Sequence, residues 1–289
     1  MIKHGVINLN KEAGFTSHDA VAVIKGLTKM KTGHTGTLDP DATGVLPICL
    51  GKGTRFSSFF TAEEKTYAAE VIPGIITDTW DMSGTVISKN DFKLDREKIE
   101  EIVDSFHIKN GIYNQMPPMY SAIKIKGKKL YELARKGVEV EREPRPVEIH
   151  EIYIKNFSEE SFTIHVKCSK GTYIRSLCHD IGQALGFGAA MGKLERTSSG
   201  MFHINDSVTI SKLREGSVFD YIKPINGLLV YPELIIKPSG LKYALNGNKL
   251  SKFYIDGEAD GLCWLKNDGS ILGLYRVTED FFVPEVMML

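Results

Sequence analysis

The segment from Gly33 to Pro47, GHTGTLDPDATGVLP, constrains this chain more than any other. Three glycines, two prolines and small hydroxyl residues surround Asp39, with His34 five residues before it. Glycine admits left-handed turns and proline fixes φ, so the backbone here is expected to hold one unusual shape instead of a regular helix or strand. A carboxylate on such a stiff loop is suited to close approach to a substrate. The plainer reading of the same residues is a surface turn with a solvated acid.

The length of 289 residues predicts about two domains. No apolar run approaches the ~18 residues of a membrane helix, and no signal-peptide core is read at the N-terminus. Cys49, Cys168, Cys178 and Cys263 are scattered without a CxxC pair. They fit reduced, buried thiols better than a disulfide or zinc framework, and a cytoplasmic location follows as an expectation. The formal net charge of +0 argues against a bulk polyelectrolyte binder. Its distribution is uneven, however: Gln115 to Pro146 holds eight Lys/Arg and four Glu, whereas Glu63 to Asp104 holds eleven acids and five bases. Such segregation can give a neutral protein a positive face that steers a phosphate backbone.

Periodicity predicts mixed α and β. His4 to Asn10, Tyr67 to Ile72 and the strictly alternating Phe162, Ile164, Val166, Cys168 read as strands. Helices are expected after Thr16 or Ser17 (Ala20, Val23, Ile24, Leu27), from near Asp95 (Ile99, Ile102, Val103, Phe106) and after Gly171-Thr172-Tyr173 (Ile174, Leu177, Ile181, Leu185). The absence of a βαβ rhythm favours an α+β fold, a mixed and largely antiparallel sheet with flanking helices. The composition shifts around Pro224 to Gly240. From about Tyr231 short strands follow, with Asp268-Gly269 as a hairpin signal, so a small all-β domain is expected over 231–289.

Nucleotide and metal signatures are missing. Gly51-Lys52-Gly53-Thr54 fails the P-loop spacing, Cys178-His179 is a poor chelating pair, and Asp39/Asp41 and Asp78/Asp81 lack further carboxylates for magnesium. No cofactor and no metal are expected.

Further segments combine with Gly33–Pro47 into one pattern: NKEAGFTS from Asn10, Lys65-Thr66-Tyr67, TDTWDMSG (Thr77 to Gly84), QMPPMYSA (Gln115 to Ala122) continuing to LYELAR (Leu130 to Arg135), GTYIRSL from Gly171, and Leu194-Glu195-Arg196-Thr197 with Gly200 and Phe202. Across roughly the first 200 residues the chain resembles the TruB family, the tRNA pseudouridine-55 synthases. Glu12 departs from that family's usual proline. The resemblance implies a pseudouridine synthase fold over 1–230, with an RNA-gripping thumb insertion over about 107–146, and a β-rich PUA-like RNA-binding domain over 231–289. It implies isomerisation of uridine 55 in the T arm of tRNA without a cofactor, by a monomer needing no protein partner.

By the same resemblance Asp39 is the catalytic carboxylate, and Arg175 is its counter-charge, expected to lower the Asp39 pKa by attraction. Tyr67 serves catalysis and holds the base. Tyr173, Leu194, Asp81 and Lys11 join it in substrate binding, and His34 fills the space of an extruded base. Tyr120, Lys124, Lys126, Lys128, Lys129 and Arg135 grip RNA from the thumb, with Tyr131 offering a stacking surface. Two alternatives keep the same scaffold: a non-catalytic tRNA-binding or RNA-folding protein, and a guide-RNA-dependent relative.

If His34 acts by stacking in place of a base, His34→Phe should retain more pseudouridine-forming activity than His34→Ala. The reverse ranking would implicate the imidazole nitrogens.

Overall fold

The computed structural model describes residues 4–125 and 127–289; Lys126, an expected thumb cation, lies outside the described residues. Strand β1 (Gly5–Lys11) leads into helix α1 (Ser17–Thr28). A capping box starts that helix, Thr16 Oγ1 accepting the Asp19 N–H at 3.1 Å and Asp19 Oδ2 accepting the Thr16 N–H at 2.9 Å. Next come β2 (Thr32–His34) and β3 (Thr43–Leu50). The expectation of irregular backbone throughout Gly33–Pro47 is therefore corrected at both ends. Gly33 and His34 pair with Cys49 and Ile48, and β3 pairs with β1 from Gly44 to Leu50. The cause is the apolar run Val45 to Leu50, buried on both faces, which needs a full ladder for its backbone. Only 35–42 stays irregular.

Helix α2 (Ser57–Thr61), strand β4 (Lys65–Pro73) and the hairpin β5 (Ile75–Thr77) and β6 (Val86–Lys89) follow. Helix α3 (Arg96–Ser105) is capped by Asp95. The insertion leaves the body on β7 (Tyr113–Gln115), carries a small hairpin of β8 (Lys124–Ile125) and β9 (Lys128–Lys129) and a helix α4 (Leu130–Ala134), and returns on β10 (Arg145–Val147), which pairs with β7. Then come β11 (Ile149–Phe157), β12 (Phe162–Cys168), α5 (Ile174–Leu185), β13 (Ala189–Ser199), β14 (Phe202–His203), α6 (Ile210–Glu215), β15 (Lys223–Pro224) and α7 (Ile225–Leu228).

Among the described residues the central sheet runs β11-β12-β4-β13-β3-β1-β15, with β14 beside β13 and β2 beside β3. Every pairing is antiparallel except β13 with β3. Alternation places Tyr67, Ala69, Val71, Ile164 and Val166 in one core with Ile24, Ile99, Val103, Leu177 and Ile181 from α1, α3 and α5. At β1 and β3 the opposite face is buried as well. There Val6, Val45 and Cys49 join Phe56, Phe60, Trp264 and Leu274, so the second sheet is packed onto the first through a shared core.

That second sheet contains β16 (Glu233–Ile236), β17 (Leu250–Ser251), β18 (Ile255–Asp256), β19 (Leu262–Asn267), β20 (Ser270–Val277) and β21 (Phe281–Met287), ordered β17-β21-β20-β19-β16-β18. Asp268 and Gly269 turn β19 into β20 with φ of 45° and 76°, as the dipeptide predicts. An all-β composition is not what forms, because helix α8 (Pro238–Leu245) starts on a proline at its first turn and buries Gly240 and Ala244 against this sheet. All four cysteines are buried and free.

Gly44 has φ +101°, and a Cβ there would stand 2.3 Å from the Arg196 carbonyl oxygen. Gly44→Ala is expected to destabilise the protein by at least about 2 kcal/mol in urea unfolding. A change within about 0.5 kcal/mol would contradict this packing.

Candidate active site

The 35–42 loop is held from beneath by buried cations and a buried hydroxyl. Lys11 is fully buried, and its Nζ donates to the carbonyls of Glu12, Phe15 and Pro40 at 3.0, 2.7 and 2.9 Å. Burial lowers its pKa to about 8. With no surface and all three donors used, Lys11 is a holder of the loop, which corrects its placement among the substrate-binding residues. It also clamps the turn where Glu12 replaces proline. Arg196, 1 % exposed, donates to Val45 O at 2.7 Å and to Gly36 O at 3.1 Å. Ser17 Oγ accepts the Leu38 N–H at 2.9 Å and donates back to Leu38 O at 3.1 Å.

Asp39 sits at the top of this loop with its side chain 37 % exposed, facing Arg175, whose side chain is 6 % exposed on the first turn of α5. Arg175 Nε lies 3.0 Å from Asp39 Oδ2 and Nη2 lies 3.1 Å from Oδ1, a two-pronged grip that fixes the carboxylate plane. Two further donors go to Tyr120 O at 2.9 Å and Thr79 O at 3.4 Å. Burial pushes the Asp39 carboxyl above its ordinary value, with Arg175 pulling it down and Asp81 adding to the rise. Arg175 does pull the value down, as its charge implies, but desolvation of the charged form outweighs that attraction.

Asp81 approaches Arg175 Nε at 3.6 Å through Oδ2, while its Oδ1 accepts from Thr79 Oγ1, Ser83 N and Ser83 Oγ at 2.7, 3.0 and 2.6 Å. That carboxylate is largely spent on shaping its own turn. Tyr67 on β4 is 8 % exposed and pairs across the ladder with Arg196. Burial raises its pKa, so it stays a neutral phenol. Leu194 on β13 is buried to 8 %, and the half-buried Tyr173 immediately precedes α5. The His34 ring meets His18 edge-on at 5.5 Å. Burial, helped by the charges of His18 and Arg196, lowers the His34 pKa and favours a neutral ring.

The insertion is stitched to the helix that carries Arg175. Tyr113 donates its hydroxyl hydrogen to Asp180. Gln115 exchanges two hydrogen bonds with the Tyr173 backbone at 2.7 and 3.0 Å, and Ser176 Oγ donates to Met116 O at 2.7 Å. Lys124, Lys128 and Arg135 are exposed. Lys129 and Arg135 lie 5.3 and 5.5 Å from the Tyr131 ring centre, so Tyr131 is engaged by the insertion's own cations instead of standing free for a base. Arg196 is the residue whose role the sequence leaves unread. It falls inside the LERT segment, but only its burial between loop and sheet reveals what it does.

The carboxylate–guanidinium pair touches the base of the basic insertion through Tyr120 O. A family model of the TruB family pseudouridylate synthase N terminal domain matches residues 25–174, and one of the tRNA pseudouridylate synthase B C-terminal domain matches residues 175–228. The chain is 43% identical over 269 residues to tRNA pseudouridine synthase B of Clostridium kluyveri, covering 88% of this chain and 92% of that protein. It is 43% identical to the protein of the same name from Clostridium tetani, covering 96% and 97%. Among solved structures, a Cbf5-Nop10-Gar1 complex contains a chain matching with TM-score 0.72 and 28% identity over 98% of this chain and 84% of that one. An H/ACA RNP bound to a substrate RNA containing 2'-deoxyuridine matches with TM-score 0.70 and 25% identity over 100% and 86%. The chain belongs to the TruB family of pseudouridylate synthases.

The raised Asp39 pKa fixes a sign. If the ionised form is the working one, activity is lost as pH falls through a midpoint above 3.8. Removing the cation in Arg175→Met should move that acid limb to higher pH and lower kcat far more than tRNA affinity. A limb that moves down, or equal losses in both parameters, would contradict the pairing.

Proposed function

We propose that this chain is a stand-alone tRNA pseudouridine synthase that isomerises uridine 55 of the T loop. The observation that carries the reading is the Asp39 carboxylate, open on one side and gripped through both oxygens by Arg175 at 3.0 and 3.1 Å. Conversion of uridine to pseudouridine breaks N1–C1′, turns the base, forms C5–C1′, and transfers the C5 hydrogen to solvent while N1 gains a proton. It needs no hydride and no phosphate donor. It does need a fixed carboxylate at the junction of ribose and base, which Asp39 supplies either as nucleophile or as promoter of elimination.

The remaining parts suit that chemistry. Tyr67, Tyr173 and Leu194 offer apolar and aromatic surface for a uracil, and a neutral His34 ring offers a flat replacement in the stack the base leaves. Exposed Lys124, Lys128 and Arg135, with Lys129, offer phosphate contacts over that site. Residues 231–289, built on the second sheet, are assigned a PUA-like role in contacting the same RNA, and residues 1–230 the catalytic role. The same reading takes the protein as a monomer that works on tRNA in the cytoplasm, with no protein partner required. A non-catalytic RNA-folding role is disfavoured because such a role needs no desolvated acid–arginine pair.

The purified protein, incubated with unmodified tRNA carrying tritium at uracil C5, should release label unaided. Asp39→Asn should abolish release, a loss of at least about 10³-fold, while tRNA still binds. Release near the wild-type rate from Asp39→Asn would remove Asp39 from the chemistry, and a folded wild-type protein that binds tRNA without releasing label would favour the non-catalytic role.

A further inference from the structure

Trp80 and Arg142 lie outside the proposed chemistry, yet their geometry is unusual. Trp80 holds φ +64°, a conformation that bulky residues rarely adopt and that persists only where the surroundings enforce it. Its indole lies nearly flat on the His179 ring of α5, centroids 4.5 Å apart and planes 11° apart. The Arg142 guanidinium stands 5.5 Å from the indole centre. Arg142 belongs to the arm by which the insertion returns, between α4 and β10, and its Nη1 donates to Pro117 O at 2.9 Å in the outgoing arm. One side chain therefore joins both arms of the insertion to Trp80.

The neighbours of Trp80 in sequence touch the acid–arginine pair. Thr79 O accepts from Arg175 Nη1 at 3.4 Å, and Asp81 Oδ2 faces Arg175 Nε at 3.6 Å. The Trp80 carbonyl is tied to Met191 N of β13 at 2.9 Å, so a shift of the indole cannot be absorbed by the backbone on that side. A chain of contacts runs from the insertion through Arg142 and Trp80 to the two groups that flank Arg175.

We propose that Arg142 on Trp80 is a latch by which the insertion keeps Arg175 aligned with Asp39. Trp80 and Arg142 are positioning residues, since neither touches the reacting atoms. The proposal rests on the reading of residues 107–146 as the RNA-gripping insertion. It fails separately from the catalytic reading: Asp39 can be essential with no latch present.

The test is steady-state tritium release from C5-labelled tRNA by the full-length protein, with thermal unfolding to confirm that each variant is folded. Arg142→Ala and Trp80→Leu are each expected to lower kcat about ten-fold with KM little changed, because a small misplacement of the reacting groups is costly. The double variant should be no worse than the poorer single variant, as expected for two residues in one linkage. Trp80→Phe, which keeps a flat ring, should recover most of kcat; Arg142→Lys, which keeps only charge, should not. A raised KM at wild-type kcat, rescued by Arg142→Lys, would make Arg142 a simple phosphate contact and overturn the latch, as would losses that multiply in the double variant.

If Trp80→Leu does not fold, fluorescence decides. The chain has two tryptophans, so subtracting the spectrum of Trp80→Phe isolates Trp80 from Trp264. In the tRNA complex, Trp80 emission should be red-shifted in Arg142→Ala relative to wild type. Identical emission would overturn the proposal.

Discussion

The grip of Arg175 on Asp39 is the constraint on which the rest of this structure depends. A guanidinium 6 % exposed is tolerated only where its donors are used, and here they go to both oxygens of Asp39, to Tyr120 O and to Thr79 O. Those partners come from the loop between β2 and β3, from the base of the insertion and from the turn after β5. None of the three is a sheet strand, and this one side chain touches all of them. Helix α5 brings the arginine there, and α5 is itself tied to the insertion by the Tyr113–Asp180 and Ser176–Met116 hydrogen bonds.

The electrostatics follow from that crowding. Burial favours the protonated form of Asp39, and the arginine only partly restores the ionised one. The result is a carboxylate held in one orientation, its charged form disfavoured by burial and favoured by the arginine. Around it, burial favours the neutral forms of Tyr67 and His34. Lys11 and Arg196 spend their donors on backbone carbonyls of the loop and its surroundings instead of competing for the acid. Asp39 and Arg175 thus form an oriented charge pair with Asp81 beside it, bordered by buried Tyr67 and Leu194.

Much of this was legible in the sequence, for physical reasons. Alternation in Phe162–Cys168 and the Thr16/Asp19 cap are local signals, and they fix β12 and the start of α1 without help from distant residues. Asp39 and Arg175 are legible mainly through the motifs shared with the TruB family, since a Gly/Pro-rich loop and a cation at a helix start also fit a surface turn and a surface arginine. What could not be read depends on contacts remote in sequence. Lys11 looked like a substrate contact because burial of a lysine, with its three carbonyl partners, is invisible in a strand pattern. Arg196 was hidden in the same way. The pull of Arg175 on the Asp39 pKa is inferable from a motif, whereas the extent of desolvation that outweighs it is not. Helix α8 was missed since its short apolar stretch reads equally as strand.

The central claim is that Asp39, aimed by Arg175, meets a uracil swung out of its RNA loop. The most direct measurement is a crystal structure of the Asp39→Asn protein bound to a tRNA T-arm hairpin. The account predicts the target uridine unstacked, its base against Tyr67 and Leu194, with the residue-39 side chain within about 4 Å of the C1′–N1 bond. A uridine still stacked in the loop, or one seated away from residue 39, would contradict it.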